Sequence, residues 1–171
     1  AHHKTDRDIW LVYFKKQSGK GRISYNDAVE EALCFGWIDS TAKRIDDDTY
    51  AQRFSRRKRK GIFSQANIER VRRLIRTGRM TPAGLAVIGN PELLEGEPML
   101  VIAPDILGAV KEDPQVWENF GKFPGMYQRS RIAYVDGGRK HGAGEFQRRL
   151  GNFLKKTKAN RKFGFGGVQA E

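Results

Sequence analysis

The chain's only cysteine lies within "EEALCFGWIDS", Glu30 to Ser40, among the residues best suited to chemistry. A catalytic thiol needs a lowered pKa, which a helix N-terminus or a nearby cation can supply. Cys34 instead falls at the predicted C-terminus of a helix, with Glu31 and Glu30 three and four residues before it, and both features disfavour the thiolate. A helical wheel also places Cys34 opposite the apolar side of that helix. The pattern therefore favours a structural cysteine over a nucleophile.

The stretch "RFSRRKRKG", Arg53 to Gly61, has the composition of an anion-binding segment. From Arg53 to Arg79 the sequence has eleven Lys or Arg residues and one acid, Glu69. Bases in this number could hold phosphates or another polyanion, and Phe54 or Phe63 could stack on a nucleic-acid base. The alternative is a solvated basic loop that binds nothing.

Motifs for cofactor and metal chemistry are missing from the sequence. It contains no phosphate-binding G-x-x-x-x-G-K-[ST], no H-E-x-x-H and no pair of C-x-x-C, and "GKG" at 19–21 lacks the third glycine of a dinucleotide loop. The three histidines, His2, His3 and His141, are scattered, and Asp46 to Asp48 fail the calcium-loop pattern and predict a turn. We therefore expect no cofactor and no metal, and favour a protein that is not an enzyme.

Local patterns predict a strand, a helix and a hairpin in the first part of the chain. "IWLVYFKK" is rich in β-branched and aromatic residues, as strands are. Ser24 is expected to cap a helix that reaches about Phe35, and Gly36 suits the position that stops it. "WIDSTAKRID" and "TYAQRFSRR" alternate as two strands, with the aspartates between them forming the turn.

Asp39 lies in the first strand of this predicted hairpin, and two roles stay open for it. Its carboxylate could cap a turn, as aspartate side chains often do. It could also pair with a base across the hairpin, such as Lys43 or Arg53.

The remaining sequence predicts helices in two groups. Ser64 caps an arginine-rich helix that ends at Gly78, and Thr81 with Pro82 begins a short one. Further helices are predicted beyond Pro104, the last of them with an apolar stripe at Phe146, Leu150, Phe153 and Leu154. These patterns predict an α+β class: a small antiparallel sheet packed with helices, plus a helical C-terminal segment. We expect an N-terminal α+β unit with a basic hairpin and helix at 1–88, a linker at 89–104, and a helical segment with a flexible Gly-rich tail at 105–171.

Composition sets the broad class of the protein. The chain has 171 residues, 39% of them apolar, which is enough to bury a core, and its net charge is +12. A surface this basic attracts nucleic acid and other anions through an unspecific field. The sequence has no apolar run long enough to span a membrane and no signal peptide at its start, and one cysteine cannot form an internal disulfide. These features predict a cytoplasmic protein without a membrane span.

The order of motifs resembles the bacterial YdeI/OmpD-associated family, also called bacteriocin-protection proteins, over roughly residues 2–155. The most specific part is "EALCFGWIDS" with the following Lys43 and Ile45, then "RF" at 53–54, and "S..N...V..LI..G.M.PAG" from Ser64 to Gly84. Members of that family commonly have Thr-Pro after "RF", where this chain has Ser55-Arg56, and a Glu-Thr-Arg triplet where it has "GAG" at 142–144. They also tend to have one more helix before the position that corresponds to Ala1, so we expect a preceding helix.

The resemblance implies a small α+β domain with a helical C-terminal segment, and no settled catalytic activity. The family name refers to bacteriocin or antimicrobial-peptide tolerance and to an outer-membrane porin. Among the positions that match the family, polar and amphipathic groups could be brought to one cleft by the hairpin. With the neighbouring bases, the candidate ligand-binding residues are Trp37, Asp39, Lys43, Arg53, Phe54, Arg57, Lys58 and Lys60.

Three functions follow as hypotheses. The leading one is a non-enzymatic protein of bacteriocin tolerance or envelope stress that binds an anionic ligand or a protein partner. The second is a nucleic-acid-binding module that uses Arg53–Arg79, although no helix-turn-helix or RNA-binding signature accompanies it. The third is an enzyme that uses Cys34 or Asp39, which the helical-wheel argument disfavours.

Overall fold

The computed structural model describes residues 3–21, 23–58, 63–89 and 99–163. The chain divides into two compact units, Ala1–Glu95 and Gly96–Glu171. The point of division lies within the predicted linker, of which residues 90–98 are outside the described residues. The fold is α+β: the N-terminal unit holds a three-stranded antiparallel sheet with helices, and the described part of the C-terminal unit is helical.

The sheet consists of β1 (Asp8–Phe14), β2 (Trp37–Arg44) and β3 (Thr49–Arg56), in the order β1-β3-β2. Both pairings are antiparallel, so the predicted hairpin is confirmed and its second strand is central. Asp46 forms the turn, because its Oδ1 accepts hydrogen bonds from the backbone N–H groups of Asp48 and Thr49 at 2.8 and 2.6 Å. A short 3₁₀ helix, Lys16–Ser18, follows β1.

Helices α1 (Tyr25–Cys34), α2 (Gln65–Arg76) and the short α3 (Pro82–Leu85) complete the N-terminal unit. The predicted caps are present: the Ser24 hydroxyl accepts from the N–H of Asn26 at 3.2 Å, and that of Ser64 accepts from Asn67 at 3.3 Å. After α1, Gly36 turns the chain into β2 at a φ of +76°, a left-handed conformation that favours glycine.

The core of the N-terminal unit lies between one face of the sheet and helices α1 and α2. Its buried members are Val29, Leu33, Cys34, Trp37, Phe54, Val71 and Leu74. The predicted position of Cys34 away from the core is wrong, because α3 covers that side of α1. The N–H and hydroxyl of Thr81 donate to the carbonyl of Cys34 at 3.2 and 2.6 Å. Burial raises the pKa of the Cys34 thiol, which is the direction expected of a structural cysteine.

The C-terminal unit contains α4 (Pro104–Glu112), α5 (Pro114–Lys122), α6 (Gly125–Asp136), a 3₁₀ helix (Gly137–His141) and α7 (Ala143–Lys158). Its core is aromatic and aliphatic, and the predicted stripe of α7 belongs to it: Phe146, Leu150 and Phe153 are buried, and Leu154 packs partly against them. The predicted flexible tail lies mostly outside the described residues, which end at residue 163. No helix in the described ranges is both long and apolar enough to cross a bilayer.

Candidate binding cleft

The sheet divides the predicted site residues between its two faces. Directly opposed residues of an antiparallel pair point to the same face, and neighbours along a strand alternate. Asp39 lies opposite Phe54, on the face that α1 and α2 cover. Arg53 lies opposite Trp10 on the other face, and the ammonium of Lys43 is also there, 5.0 Å from the centroid of the Trp10 ring. The expectation that these residues share one cleft is therefore wrong.

A β-bulge explains the position of Lys43. The register pairs Asp39 with Phe54 but Ala42 with Gln52, so Ser40 and Thr41 together oppose one residue of β3. The extra residue reverses the alternation of β2 beyond Asp39, and Lys43 points away from Asp39 instead of lying beside it.

The carboxylate of Asp39 is held by the start of α1. Its Oδ2 accepts a hydrogen bond from the hydroxyl of Tyr25 at 2.5 Å. Of the two roles left open for Asp39, the pairing with Lys43 or Arg53 is wrong, because both of these side chains lie on the other face. Burial and this contact with Asp39 raise the pKa of the Tyr25 hydroxyl. The hydroxyl of Tyr13 is also buried nearby, and burial above all raises its pKa to about 12.

Two buried arginines complete this polar cluster. Arg57 is buried, its guanidinium carbon lies 3.6 Å from the centroid of the Phe63 ring, and its backbone N–H donates to the carbonyl of Gly36 at 2.9 Å. Arg70 donates to Asn67 at 2.8 Å and to Asn26 at 3.1 Å, which connects α2 with α1. Burial lowers the pKa of both guanidinium groups, and the charge of Asp39 acts against that shift. The contacts of Asp39 and Arg70 therefore connect the hairpin with α1 and α1 with α2.

Several other bases of the predicted anion-binding stretch are also used inside the N-terminal unit. Arg53 donates to Asp8 at 3.0 Å through its Nε. Arg73 pairs with Glu30, and Arg79 lies 3.3 Å from the second oxygen of that carboxylate. Of the other candidates, Lys58 is exposed and Lys60 lies outside the described residues. Part of the positive charge between Arg53 and Arg79 is therefore paired with acids or buried inside the N-terminal unit.

Trp37 and Phe54 are walls of a cleft of about 640 Å³ beside α1, within the N-terminal unit. The cleft is predominantly apolar, and its apolar lining comes from the start of β1, the segment before α1, one side of α1, and the two buried aromatic residues. These lining residues are Ile9, Leu11, Ile23, Ala28, Ala32, Phe35, Trp37 and Phe54. Ala28 and Ala32 are one turn apart on α1, and their small side chains leave the space open.

Acidic residues dominate the edge of the cleft. Its charged and titratable lining residues are His3, Asp6, Asp27, Glu31 and Arg79. The lining thus contains three carboxylates, one guanidinium and one imidazole. The guanidinium, that of Arg79, is already paired with Glu30 and lies 3.6 Å from Glu31. The edge of the cleft is negative in a chain whose net charge is +12.

A sequence model of one protein family matches the unit that contains this cleft. The family is described as a domain of unknown function, DUF8412, and its model matches residues 1–87. The chain belongs to the DUF8412 family. No curated protein and no solved structure matches the chain. The DUF8412 match says nothing of the YdeI/OmpD-associated proteins, so the resemblance to them stays a prediction.

The part of the chain that matches DUF8412 includes every residue that lines the cleft, from His3 to Arg79. Sequence reasoning found Trp37 and Phe54 but missed the apolar residues of β1 and the acidic edge. A signal existed for one wall, because Ala28 and Ala32 lie on the apolar side of the predicted helix. Nothing local indicated that this side would stay partly open. Among the described residues, no group of three or more His, Cys, Asp or Glu could hold a metal ion.

Proposed function

We propose that the N-terminal unit is a binding module whose cleft takes a basic amphipathic helix from a peptide or a partner protein. The observation that carries the proposal is an open apolar cleft with an acidic edge in a strongly basic chain. A peptide ligand also agrees with the resemblance to bacteriocin-protection proteins. On this proposal the role of the protein in peptide tolerance or envelope stress is recognition and not catalysis.

The size and lining of the cleft favour apolar side chains presented by one helix. A volume of about 640 Å³ is in the usual range for ligand sites, roughly 300–1,000 Å³. Helices that bind in grooves insert apolar residues from successive turns, at spacings of three and four. Ile9 and Ile23 are 45% and 58% exposed at this cleft, so an inserted helix would remove further apolar surface from water.

The charge at the edge favours a cationic partner over an anionic one. Asp6, Asp27 and Glu31 would repel a phosphate or carboxylate and attract lysine or arginine side chains that flank an apolar stripe. Of the two ligand classes expected from the sequence, the cleft therefore supports the protein partner. Nucleic-acid binding through Arg53–Arg79 has less support, because Arg53, Arg57, Arg70, Arg73 and Arg79 have partners inside the unit.

The test is fluorescence anisotropy with two labelled 14-residue helical peptides that share one leucine stripe, one with lysine and one with glutamate on the polar side. We expect the lysine peptide to bind and the glutamate peptide to bind at least about tenfold more weakly, a difference of ~1.4 kcal/mol. Ile9→Ala should make the binding free energy of the lysine peptide less favourable by about 1–2 kcal/mol, since each buried CH₂ contributes ~0.8 kcal/mol. The matched control is Leu85→Ala, because Leu85 is also 45% exposed but does not line the cleft.

Two further variants separate the charge of the edge from the net charge of the chain. Asp27→Asn should weaken the lysine peptide, whereas Glu112→Gln, an exposed acid of the C-terminal unit, should leave it unchanged. Equal binding of both peptides would contradict the proposal, and so would an equal effect of Ile9→Ala and Leu85→Ala. Failure of the lysine peptide to bind would also count against it.

A further inference from the structure

The face of the sheet opposite the cleft has a different chemistry. We call it the open face and define it by Trp10, Val12 and Phe14 of β1, Ala51 and Arg53 of β3, and Lys43 of β2. Trp10 is 41% exposed and Val12 is 52% exposed, which is unusual for large apolar side chains at the middle of a strand. The single acid that the register adds to this face, Asp8, is paired with Arg53. The open face therefore combines apolar rings with a positive charge.

Each of its two aromatic rings has an ammonium group above it. Lys43 faces Ala51, which in turn faces Val12, and the small alanine lets Lys43 reach across the central strand to Trp10. Its ammonium lies 5.0 Å from the Trp10 ring centroid, and that of Lys20 lies 4.9 Å from the ring of Phe14. Trp10 and Phe14 point to the same side of β1, about 13 Å apart at the usual rise of a strand.

We propose that the open face binds single-stranded nucleic acid, with bases stacked on Trp10 and Phe14 and phosphates held by Lys43 and Lys20. Proteins that bind single strands combine a basic surface with aromatic rings on which bases stack. A stacked base stabilises more than an exposed cation on the same ring, so each lysine can leave its ring for a neighbouring phosphate. A duplex has its base faces covered and offers nothing to these rings. This proposal concerns a different face and does not depend on peptide binding in the cleft.

The experiment is fluorescence anisotropy of the full chain with a labelled twelve-nucleotide oligo(dT) and a twelve-base-pair duplex, between 50 and 300 mM salt. We expect the single strand to bind more tightly than the duplex at every salt concentration. Trp10→Ala should weaken binding of the single strand by about 5- to 150-fold, the range expected for the loss of one stacked base. Lys43→Gln should reduce the slope of log K against log salt by about 0.7, which is one phosphate on a single strand.

The C-terminal unit supplies a matched control. Trp117 is 45% exposed on α5, and the ammonium of Lys111 lies 5.1 Å from its ring centroid, so this pair has the same local chemistry as Trp10 and Lys43. Trp117→Ala should leave binding of the single strand unchanged. Trp10→Phe should keep binding within about threefold, since phenylalanine also stacks, but should remove the quenching of tryptophan fluorescence by oligo(dT).

Four results would overturn the proposal. Equal affinity for duplex and single strand, or equal effects of Trp10→Ala and Trp117→Ala, would mean that the net charge alone attracts the oligonucleotide. Displacement of oligo(dT) by polyglutamate of matched charge would mean that the surface recognises any polyanion. Absence of binding at 50 mM salt would exclude the ligand class.

Discussion

Replacing Glu30 with glutamine should strongly reduce the stability of the N-terminal unit. Its side chain is 11% exposed and contacts two arginines, Arg73 and Arg79, whose side chains are 39% and 45% exposed. Glu30→Gln keeps the shape but replaces one of the two accepting oxygens with an NH₂ donor, so one hydrogen bond from an arginine is lost and the other goes to a neutral amide oxygen. A hydrogen bond to a charged group contributes about 1.5–3 kcal/mol, so the loss of one bond alone costs about 2 kcal/mol. In a unit of this size such a loss lowers Tm by about 8–16 °C.

The assay is urea unfolding in a Trp117→Phe background, where the remaining tryptophans, Trp10 and Trp37, both report on the N-terminal unit. With an m value of about 1–2 kcal/mol/M, the midpoint should fall by about 1 M or more. The control is Glu31→Gln: this side chain is 63% exposed and lies 3.6 Å from Arg79, so its loss should cost less than about 1 kcal/mol. Equal midpoints for the two variants would refute the view that burial of Glu30 gives its ion pairs their strength.

Three more results are expected. Gly84→Ala should destabilise the N-terminal unit in urea unfolding, because a Cβ there would lie 2.3 Å from the Cys34 carbonyl oxygen. The control is Gly108→Ala, which lies in open space on α4 and should stabilise the C-terminal unit by about 0.4–1 kcal/mol. An undiminished stability of Gly84→Ala would contradict the close packing of α3. Cys34 should react with a thiol reagent at pH 7 only after unfolding, since burial raises its pKa; rapid labelling of the folded chain would revive the enzyme hypothesis. Hydrogen bonds from Arg148, and to a lesser extent Arg149, lower the pKa of Glu145 from 4.5 to about 2. The stabilisation that these salt bridges give is complete above pH 4.5 and is lost as the pH falls towards 2. Glu145→Gln should therefore flatten the dependence of stability on pH between 4.5 and 2, and an unchanged acid-unfolding profile would exclude the effect.

Most of the secondary structure could be predicted because its signals are local. Ser24 and Ser64 cap their helices, Gly36 takes the left-handed conformation after α1, and the aspartates of the hairpin form its turn. Each of these depends on the chemistry of a few neighbouring residues. The apolar stripe of α7 is equally local, because its spacing alone defines one face of a helix.

The candidate site could be predicted only in part, because its arrangement depends on contacts between distant segments. Counting every second residue from Trp37 places Asp39 and Lys43 on one face, and that count fails at the bulge of Ser40 and Thr41. The helical wheel failed for Cys34 for a related reason: a wheel gives the faces of a helix but not the number of faces that neighbours cover. The acidic edge of the cleft was missed since its carboxylates come from the segment before β1 and from α1, far apart in the sequence.

The bulge also separates two kinds of chemistry that one regular strand would have mixed. On the covered face, Trp37 lines an apolar cleft whose edge is acidic, and a lysine on this face would weaken the selectivity of the cleft for a cationic partner. On the open face, Lys43 joins an exposed tryptophan, and a carboxylate in its place would repel phosphates. Successive side chains of a strand alternate between the two faces of the sheet. One additional residue therefore moves the charge of Lys43 to the opposite face without any change in the type of the residues around it. The proposal for the open face therefore depends on the bulge, which places Lys43 beside Trp10, whereas Trp37, the β2 residue that lines the cleft, precedes the bulge.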